Sequence, residues 1–270
     1  LKSTGRLSPR AGCLVFTFTK IYMAAYITSY LRYNGLNDRA VRAISGALIH
    51  RLYIDEPIPP EKHADIVYDA EIPIGQIPET RVIKMSQKKH VEKFFEDGTL
   101  QLGNFRYFNN FDHEEIGDRS EGAFVLVGRR GDEYGFAQIG GGFHYHAFCA
   151  YAGEPDPECI KRFGYDSYFS IDDVAGFSNA ILNTLQSSHY HYSSCVYRRD
   201  KVVVGDVRND FDFNQISARL LELASEAKFF VKPSKYSQQS EFRFIWSSES
   251  DLTDPKIIKC PEAIKYCSRK

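Results

Sequence analysis

One hexapeptide constrains the fold more than any other part of the chain. Glu241-Phe-Arg-Phe-Ile-Trp246 alternates between large aromatic residues and other side chains. Successive side chains of a strand leave opposite faces. Phe242, Phe244 and Trp246 therefore point one way, and Glu241, Arg243 and Ile245 the other. Other segments supply the companions such a strand needs. Arg81–Met85 reads as a short strand, with Ser86 as the N-cap of a helix whose apolar side is Val91, Phe94 and Phe95. Gly98 is placed to end that helix, and Thr99–Leu102 alternates as the next strand. Ala123–Val127 and Glu133–Gln138 predict a hairpin. Gly140-Gly141-Gly142 then turns into a strand over Phe143–Tyr151. Ser170 and Asp173 form an S-x-x-D cap ahead of Val174, Phe177, Ile181 and Leu185. Lys201–Val204 reads as a strand, and Ile216, Leu220, Leu223 and Ala227 mark another helix. Short strands with interspersed helices predict an α+β domain on a mixed or antiparallel sheet over residues 79–270.

Residues 1–78 read differently, as a helical and proline-rich N-terminal extension. Residues 1–55 read mostly as helix. The apolar stretch Cys13–Leu31 carries Lys20 at its centre. A central lysine costs a membrane span about 2.5–3.5 kcal/mol, so a buried or partner-covered helix is expected, with no membrane partner. No A-x-A-like cleavage site follows it, so no secretory signal is expected. Leu36-Asn37-Asp38 starts a second helix with Val41, Ile44, Leu48 and Leu52 along one face. Pro57, Pro59, Pro60, Pro73 and Pro78 mark a linker or an extended wrap.

The charge balance limits the classes of function. Lys plus Arg is 34 and Asp plus Glu is 35, a formal net charge of −1, which excludes a generally basic nucleic-acid coat and an acidic disordered tail. The six cysteines are scattered with no C-x-x-C pair, so they read as reduced thiols of a cytoplasmic protein. The 20 Phe and 17 Tyr argue against disorder and offer stacking surfaces for a flat ligand.

Several groups have the residue types that chemistry needs. Gln239 and Glu241 stand two apart at the mouth of the alternating strand, on one side if the backbone is extended. A fixed carboxylate there suits N-glycosidic chemistry, where the departing base leaves positive charge on a ribose. The plainer alternative is a strand-edge Glu paired with Arg243 or Lys235. His144/His146 and His189/His191 form two H-x-H pairs, which on strands can face one ligand or act as acid and base in a ribonuclease. No standard zinc spacing is present, and no metal is expected. Asp112, Glu114, Glu115 and Asp118 lack the ordered EF-hand pattern. Asp118 and Glu121, around Arg119, are expected to fix their loop by local hydrogen bonds, with a role closing over substrate as the functional alternative. Basic clusters at Lys84/Lys88/Lys89 and Lys228/Lys232/Lys235 read as solvated surface unless the fold brings them to one cleft.

Taken together, Val82-Ile-Lys-Met-Ser86, the helix through Phe95, Gly98 and Thr99–Leu102 resemble the opening unit of ADP-ribosyltransferases. That unit is a strand, a short helix and a glycine before the next strand, as in the DNA-ADP-ribosylating toxins and the RNA phosphotransferases. Lys84 stands where those families carry His or Arg, and Ser86 where they carry Thr. Gln239-Ser240-Glu241 resembles their closing Q-x-E, and Ser167, Tyr168 and Ser170 are a looser form of the middle motif. Gly98-Thr99-Leu100, Asp118–Gly122, Cys149, Gly164-Tyr165 and Glu241/Arg243 also resemble a broad bacterial family linked to phage defence.

These resemblances imply an ADP-ribosyltransferase-like fold and an enzyme that consumes NAD. Glu241 would be the catalytic carboxylate and Gln239 would orient the acceptor. Lys84, Arg81 and Arg106 would contact ribose or phosphates. Tyr165 or Phe169 would stack on nicotinamide, with Ser170 beside them. The implied acceptor is single-stranded nucleic acid, RNA foremost, with protein as the alternative. An antitoxin or chaperone is an implied partner. A His-dependent ribonuclease and a non-catalytic partner-binding module remain the competing readings.

Overall fold

The computed structural model describes residues 26–50, 81–109, 121–154, 157–198, 200–206 and 229–270. The expected helix at Ile216–Ala227, the proline-rich stretch and the acidic residues 112–118 lie outside them.

The described residues form a mixed α+β architecture with two main sheets. The larger sheet is organised around β6 (Tyr145–Ala152). Along one edge β6 pairs with β12 (Glu241–Ser247), from Tyr145 opposite Ser247 to Tyr151 opposite Glu241. β12 pairs in turn with β8 (Tyr190–Ser194). The other edge of β6 is shared. β3 (Thr99–Asn104) takes Ala147 and His146, while β2 (Val82–Ser86) takes Ala152 and Tyr151. From there β2 continues to β7 (Ser167–Ile171) and β14 (Cys267–Arg269), and β3 continues to β13 (Lys256–Lys259). The sheet is therefore split. Residues 148–150 of β6 face a gap between two diverging strands. Two short helices flank it in sequence: α3 (Phe105–Asn109) follows β3, and α4 (Pro157–Arg162) lies between β6 and β7. A separate parallel pair joins β9 (Val196–Arg198) to β11 (Val231–Pro233).

Alternation along β12 works as the sequence reading expects. Phe242, Phe244 and Trp246 enter the main apolar core with Phe148, Phe177 and Ile181, and the Trp246 indole donates to the Ser178 carbonyl at 3.0 Å. Ile245 joins a second cluster on the opposite face, with Phe105, Tyr145 and Phe229. α5 (Val174–Leu185) covers the main core; its N-cap is Asp173, which accepts from Gly176 N at 2.8 Å. Ser170 is not part of that cap, because β7 already holds it.

The unit that opens the larger sheet also forms. α2 (Lys88–Asp97) runs from β2 to Gly98, whose left-handed backbone (φ 76°) lets its N–H reach Phe94 O at 2.7 Å. A Cβ on Gly98 would lie 2.3 Å from the nitrogen of Pro261, so both the turn and the close approach require glycine. Ser86 does not cap α2. It ends β2, and the carboxylate of Asp166, on the loop before β7, accepts from Lys88 N at 2.6 Å instead.

The smaller sheet has the order β1-β5-β4-β10, from β1 (Tyr26–Asn34), β4 (Phe124–Arg130), β5 (Glu133–Gly140) and β10 (Val202–Asp206). β4 and β5 are the expected hairpin. The helix expected over Cys13–Leu31 is corrected where it is described. Tyr26–Asn34 is a strand, antiparallel to β5, and its Tyr, Ile and Thr content suits a sheet. α1 (Asp38–His50) follows as expected. Asn37 caps it by accepting from Ala40 N at 2.9 Å, and Val41 and Leu48 pack on Val125, Val127 and Phe136. Residues 26–50 thus share a sheet and a core with residues 124–140. Among the described residues no helix is long and apolar enough to cross a membrane.

Candidate active site

The split in the larger sheet opens into a cavity of about 400 Å³. Its walls come from β2, α2 and β3 on either side of the split, and from residues 147–151 of β6 behind it. Glu121, Lys232, Gln239, Glu241 and Arg243 also line it.

These five side chains form a charge network. Glu241 and Arg243 are neighbours on one face of β12. Arg243 Nε donates to Glu241 Oε1 at 2.7 Å, and Nη2 lies 2.6 Å from the same oxygen. The rest of the Arg243 fork is spent elsewhere. Nη1 reaches Glu121 Oε2 at 2.8 Å and the Phe229 carbonyl at 2.6 Å, while Nη2 reaches Glu121 Oε1 at 2.9 Å. Lys232, on β11, donates to Glu241 Oε2 and to Gln239 Oε1, each at 2.7 Å, and stands 3.4 Å from Glu121 Oε1. The Arg243 side chain is 1% exposed and those of Glu121 and Lys232 are 2% each. Two cations and two carboxylates are therefore buried together with their hydrogen bonds filled. That is the condition under which buried ions are tolerated.

Titration follows from this packing. Burial alone would push the Glu241 carboxyl up. Arg243 and Lys232, with hydrogen bonds from Lys232 and the Cys149 thiol, over-compensate and hold it well below the usual carboxylate range. Burial disfavours the charged form of Arg243, but Glu121 and Glu241 reverse that and raise its pKa. The Cys149 thiol is pushed up to about 12, by burial first and then by Glu241. It is a poor thiolate and no nucleophile at neutral pH.

Gln239 and Glu241 meet here by a route other than simple alternation. Gln239 ends a 3-10 turn, Ser234–Gln239, and Ser240 adopts a left-handed backbone at φ 39°, unusual for a residue with a Cβ. The Ser240 carbonyl is held by Ala152 N at 2.7 Å, and Glu241 N donates to Tyr197 OH, also at 2.7 Å. The two side chains converge on Lys232 rather than through a shared strand face. Glu241 is also paired with Arg243, one partner of the plainer reading; its other partner is Lys232, not Lys235.

Lys84 reaches the cavity from β2. Its Nζ donates to the Cys149 carbonyl at 2.8 Å, in the gap where β6 has neither β2 nor β3 beside it, and lies 4.5 Å over the Phe148 ring. Burial lowers its pKa, and the Glu241 charge pulls the other way. Tyr165 and Phe169 also line the cavity; Phe169 is stacked on Phe94, with ring centroids 4.7 Å apart.

Three other expected site residues stand apart from the cavity lining. Arg81 pairs with Glu154 at 2.8 Å and Asp172 at 3.4 Å. Arg106 lies 4.7 Å from the Phe143 ring centre, and Ser170 is buried on β7 with its hydroxyl near the Ser268 carbonyl. The histidines are elsewhere too. His144 pairs with Asp251 at 3.0 Å, His146 is buried, and His189 and His191 face each other with Nε2 atoms 2.6 Å apart. Among the described residues no group of three or more His, Cys, Asp or Glu is placed to hold a metal.

No family model, curated protein or solved structure matches the chain. The site therefore rests on its own geometry.

Two of its members are not apparent from sequence. Glu121, expected to bond within its loop, instead crosses to Arg243. Lys232, expected on a solvated surface unless the fold brought it and Lys84 to one cleft, is buried, and the two do line one cavity. A signal for Lys232 is present, because it interrupts the apolar run Phe229-Phe-Val-Lys-Pro233. Glu121 has no such signal; its partner lies 122 residues away in sequence.

Proposed function

We propose that this cavity is the NAD-binding site of an ADP-ribosyltransferase. The observation that carries the reading is convergence. Lys84, Tyr165 and the Gln239/Glu241 pair, distant from one another in sequence, line one cavity over the split of the sheet. Its volume falls within the usual range for small-molecule sites, about 300–1,000 Å³. Its lining also fits the substrate. Tyr165 offers aromatic surface, while Phe169 is packed into the core behind it. Among the described residues the four buried charges cancel, and Lys84 is a further cation in the lining for an anionic group.

When NAD loses nicotinamide, positive charge grows on the ribose, and a fixed anion near it lowers the barrier. Glu241 is kept ionised across the physiological range by Arg243 and Lys232. The same partners fix its orientation, so no reorganisation is needed as charge develops. Lys84 is assigned to a phosphate and Gln239 to orienting the acceptor. We assign the acceptor to single-stranded nucleic acid, in line with the exposed Lys88, Lys89 and His90 on α2 beside the cavity. In a cell, this activity would suit a toxin or phage-defence effector restrained by a partner.

The test is release of nicotinamide from NAD, with transfer of labelled ADP-ribose to RNA, DNA or protein. Wild type should transfer to RNA, and Glu241→Gln, checked for folding, should lose transfer by at least about 100-fold, the scale of removing one electrostatic stabiliser. Full activity in Glu241→Gln, or no transfer by wild type to any acceptor, would overturn the reading. Cleavage of RNA without NAD, abolished by changing His189 or His191, would favour a ribonuclease instead.

A further inference from the structure

Glu121 comes from the segment leading into β4, yet its carboxylate is aimed at the cavity floor. Arg243 splits its fork between two carboxylates, with Nε and Nη2 on Glu241 and both terminal nitrogens also on Glu121. Lys232 likewise lies between the same two acids. Without Glu121, Glu241 would be the one carboxylate among the described residues that contacts both cations. The negative field that Glu241 presents to the cavity would then be more than cancelled, while the cavity as a whole would gain one positive charge.

We infer that Glu121 is a positioning residue that sets the charge of the site: it occupies Arg243 and Lys232 so that the charge of Glu241 stays available to the ligand. This rests on the NAD reading for its kinetic consequence, but the binding consequence is purely electrostatic. Anions should bind more tightly when Glu121 loses its charge, and a cationic transition state should be stabilised less. Binding and turnover therefore move in opposite directions. A residue that merely held the fold together would weaken both, because a loosened Arg243 would disorder the floor of the cavity.

The experiment compares wild type with Glu121→Gln, which keeps the shape and removes the charge. ADP affinity is measured by calorimetry, nicotinamide release is followed as KM and kcat, and thermal melts confirm folding. The expected result is an ADP Kd and an NAD KM each lower by roughly tenfold, with kcat lower by roughly tenfold or more, the scale of one added charge near the site. Should Glu121→Gln fail to fold, the same sign is read in the Lys232→Met background, where removing the Glu121 charge as well leaves Glu241 and Arg243 as a balanced pair. There the double variant Glu121→Gln/Lys232→Met should bind ADP more tightly than Lys232→Met alone. Both of these proteins lack the Lys232 ammonium, so its own effect on the ligand cancels. If NAD and ADP bind wild type but removing the Glu121 charge weakens ADP binding or leaves it unchanged, this inference alone is overturned. If neither ligand binds wild type, the NAD reading fails and the inference falls with it.

Discussion

The two faces of β12 put opposite chemistry on one strand, and both are buried. Below it, Phe242, Phe244 and Trp246 meet Phe148 and Phe177, with Phe244 and Trp246 stacked at 5.8 Å between centroids. Above it, Glu241 and Arg243 meet Lys232 and Glu121. The lower face is stabilised by area removed from water, roughly 25 cal/mol per Å². On the upper face desolvation costs several kcal/mol per ion, offset only because geometry is good and donors are filled. The contrast shows that alternation decides which residues share a face, not whether the polar face meets water. It also separates two purposes. The aromatic face explains why the strand is stable, and the charged face does not. We take the charged face to be kept for what it presents to the cavity.

Breaking either face should be costly, for different reasons. Phe244→Ala leaves a cavity in the core and should cost about 3–5 kcal/mol. Arg243→Met leaves two buried carboxylates facing one lysine and should also cost about 3–5 kcal/mol. Urea melts at neutral pH measure both. The comparison sharpens in acid. Arg243→Met should recover part of its loss as pH falls and a carboxyl takes up a proton, whereas Phe244→Ala should not. Equal behaviour of the two variants at pH 4.5 and pH 7 would show that the charged face is packing like the other.

Removing the whole network should have a smaller effect on stability, of opposite sign. Replacing Glu121, Lys232, Glu241 and Arg243 together by Leu or Met of similar volume should be neutral or stabilising by about 1–4 kcal/mol. The proposed nicotinamide release should vanish. A quadruple variant less stable than Arg243→Met would mean that the charges hold the sheet together, and the separation of purposes drawn from β12 would fail.

The same contrast explains what is legible in the sequence. β12 announces itself because period-2 alternation is local, and so do Gly98 after α2 and Asp173 before α5. The β4–β5 hairpin is local as well. The split of the larger sheet is not legible, since it depends on two strands sharing one edge of β6. Nor is the cap of α2, which Asp166 provides from 78 residues away. Tyr26–Asn34 reads as helix only as the tail of the apolar stretch Cys13–Leu31; its own Thr28, Ser29 and Arg32 break the strict alternation that would mark a strand. Within the site, Glu241, Gln239, Lys84 and Tyr165 can be named from sequence, whereas the Glu121–Arg243 pairing is purely tertiary. Arg81, Arg106 and Ser170 are named by the same motifs, and stand away from the cavity. Nearness to a motif in sequence gives no direction to a side chain.

A gentler probe uses the Trp246 indole, the one polar group on the aromatic face of β12. It donates to the Ser178 carbonyl at 3.0 Å. Trp246→Phe removes that donor while leaving an aromatic ring stacked on Phe244. Loss of one neutral hydrogen bond together with some ring area should cost about 1–3 kcal/mol. Catalysis should be unaffected, because nothing on this face lines the charged floor. Unchanged kcat with a lowered Tm is the expected pair of results. A fall in kcat with Tm intact would mean that the two faces are coupled through the strand.

The smallest expected effect comes from His146, opposite Trp246 on β6. Burial, aided by Lys256, lowers its pKa from 6.5 to about 4. The folded chain then holds a neutral imidazole where the unfolded chain takes up a proton. Between pH 6.5 and 4 the unfolded state binds more protons, so stability is full above that window and is lost as pH falls through it. Glu241 is silent over the upper part of this range, because its carboxyl is held below the usual carboxylate range. From pH 7 to 5 the charged network should therefore leave the melting temperature alone, while His146 lowers it by roughly 2–4 °C. His146→Gln should flatten that slope, and Glu121→Gln should not. If instead Glu121→Gln flattens it, the pH sensitivity belongs to the charged face. The network would then titrate near neutrality, contrary to the fixed ionisation on which the proposed role of Glu241 depends.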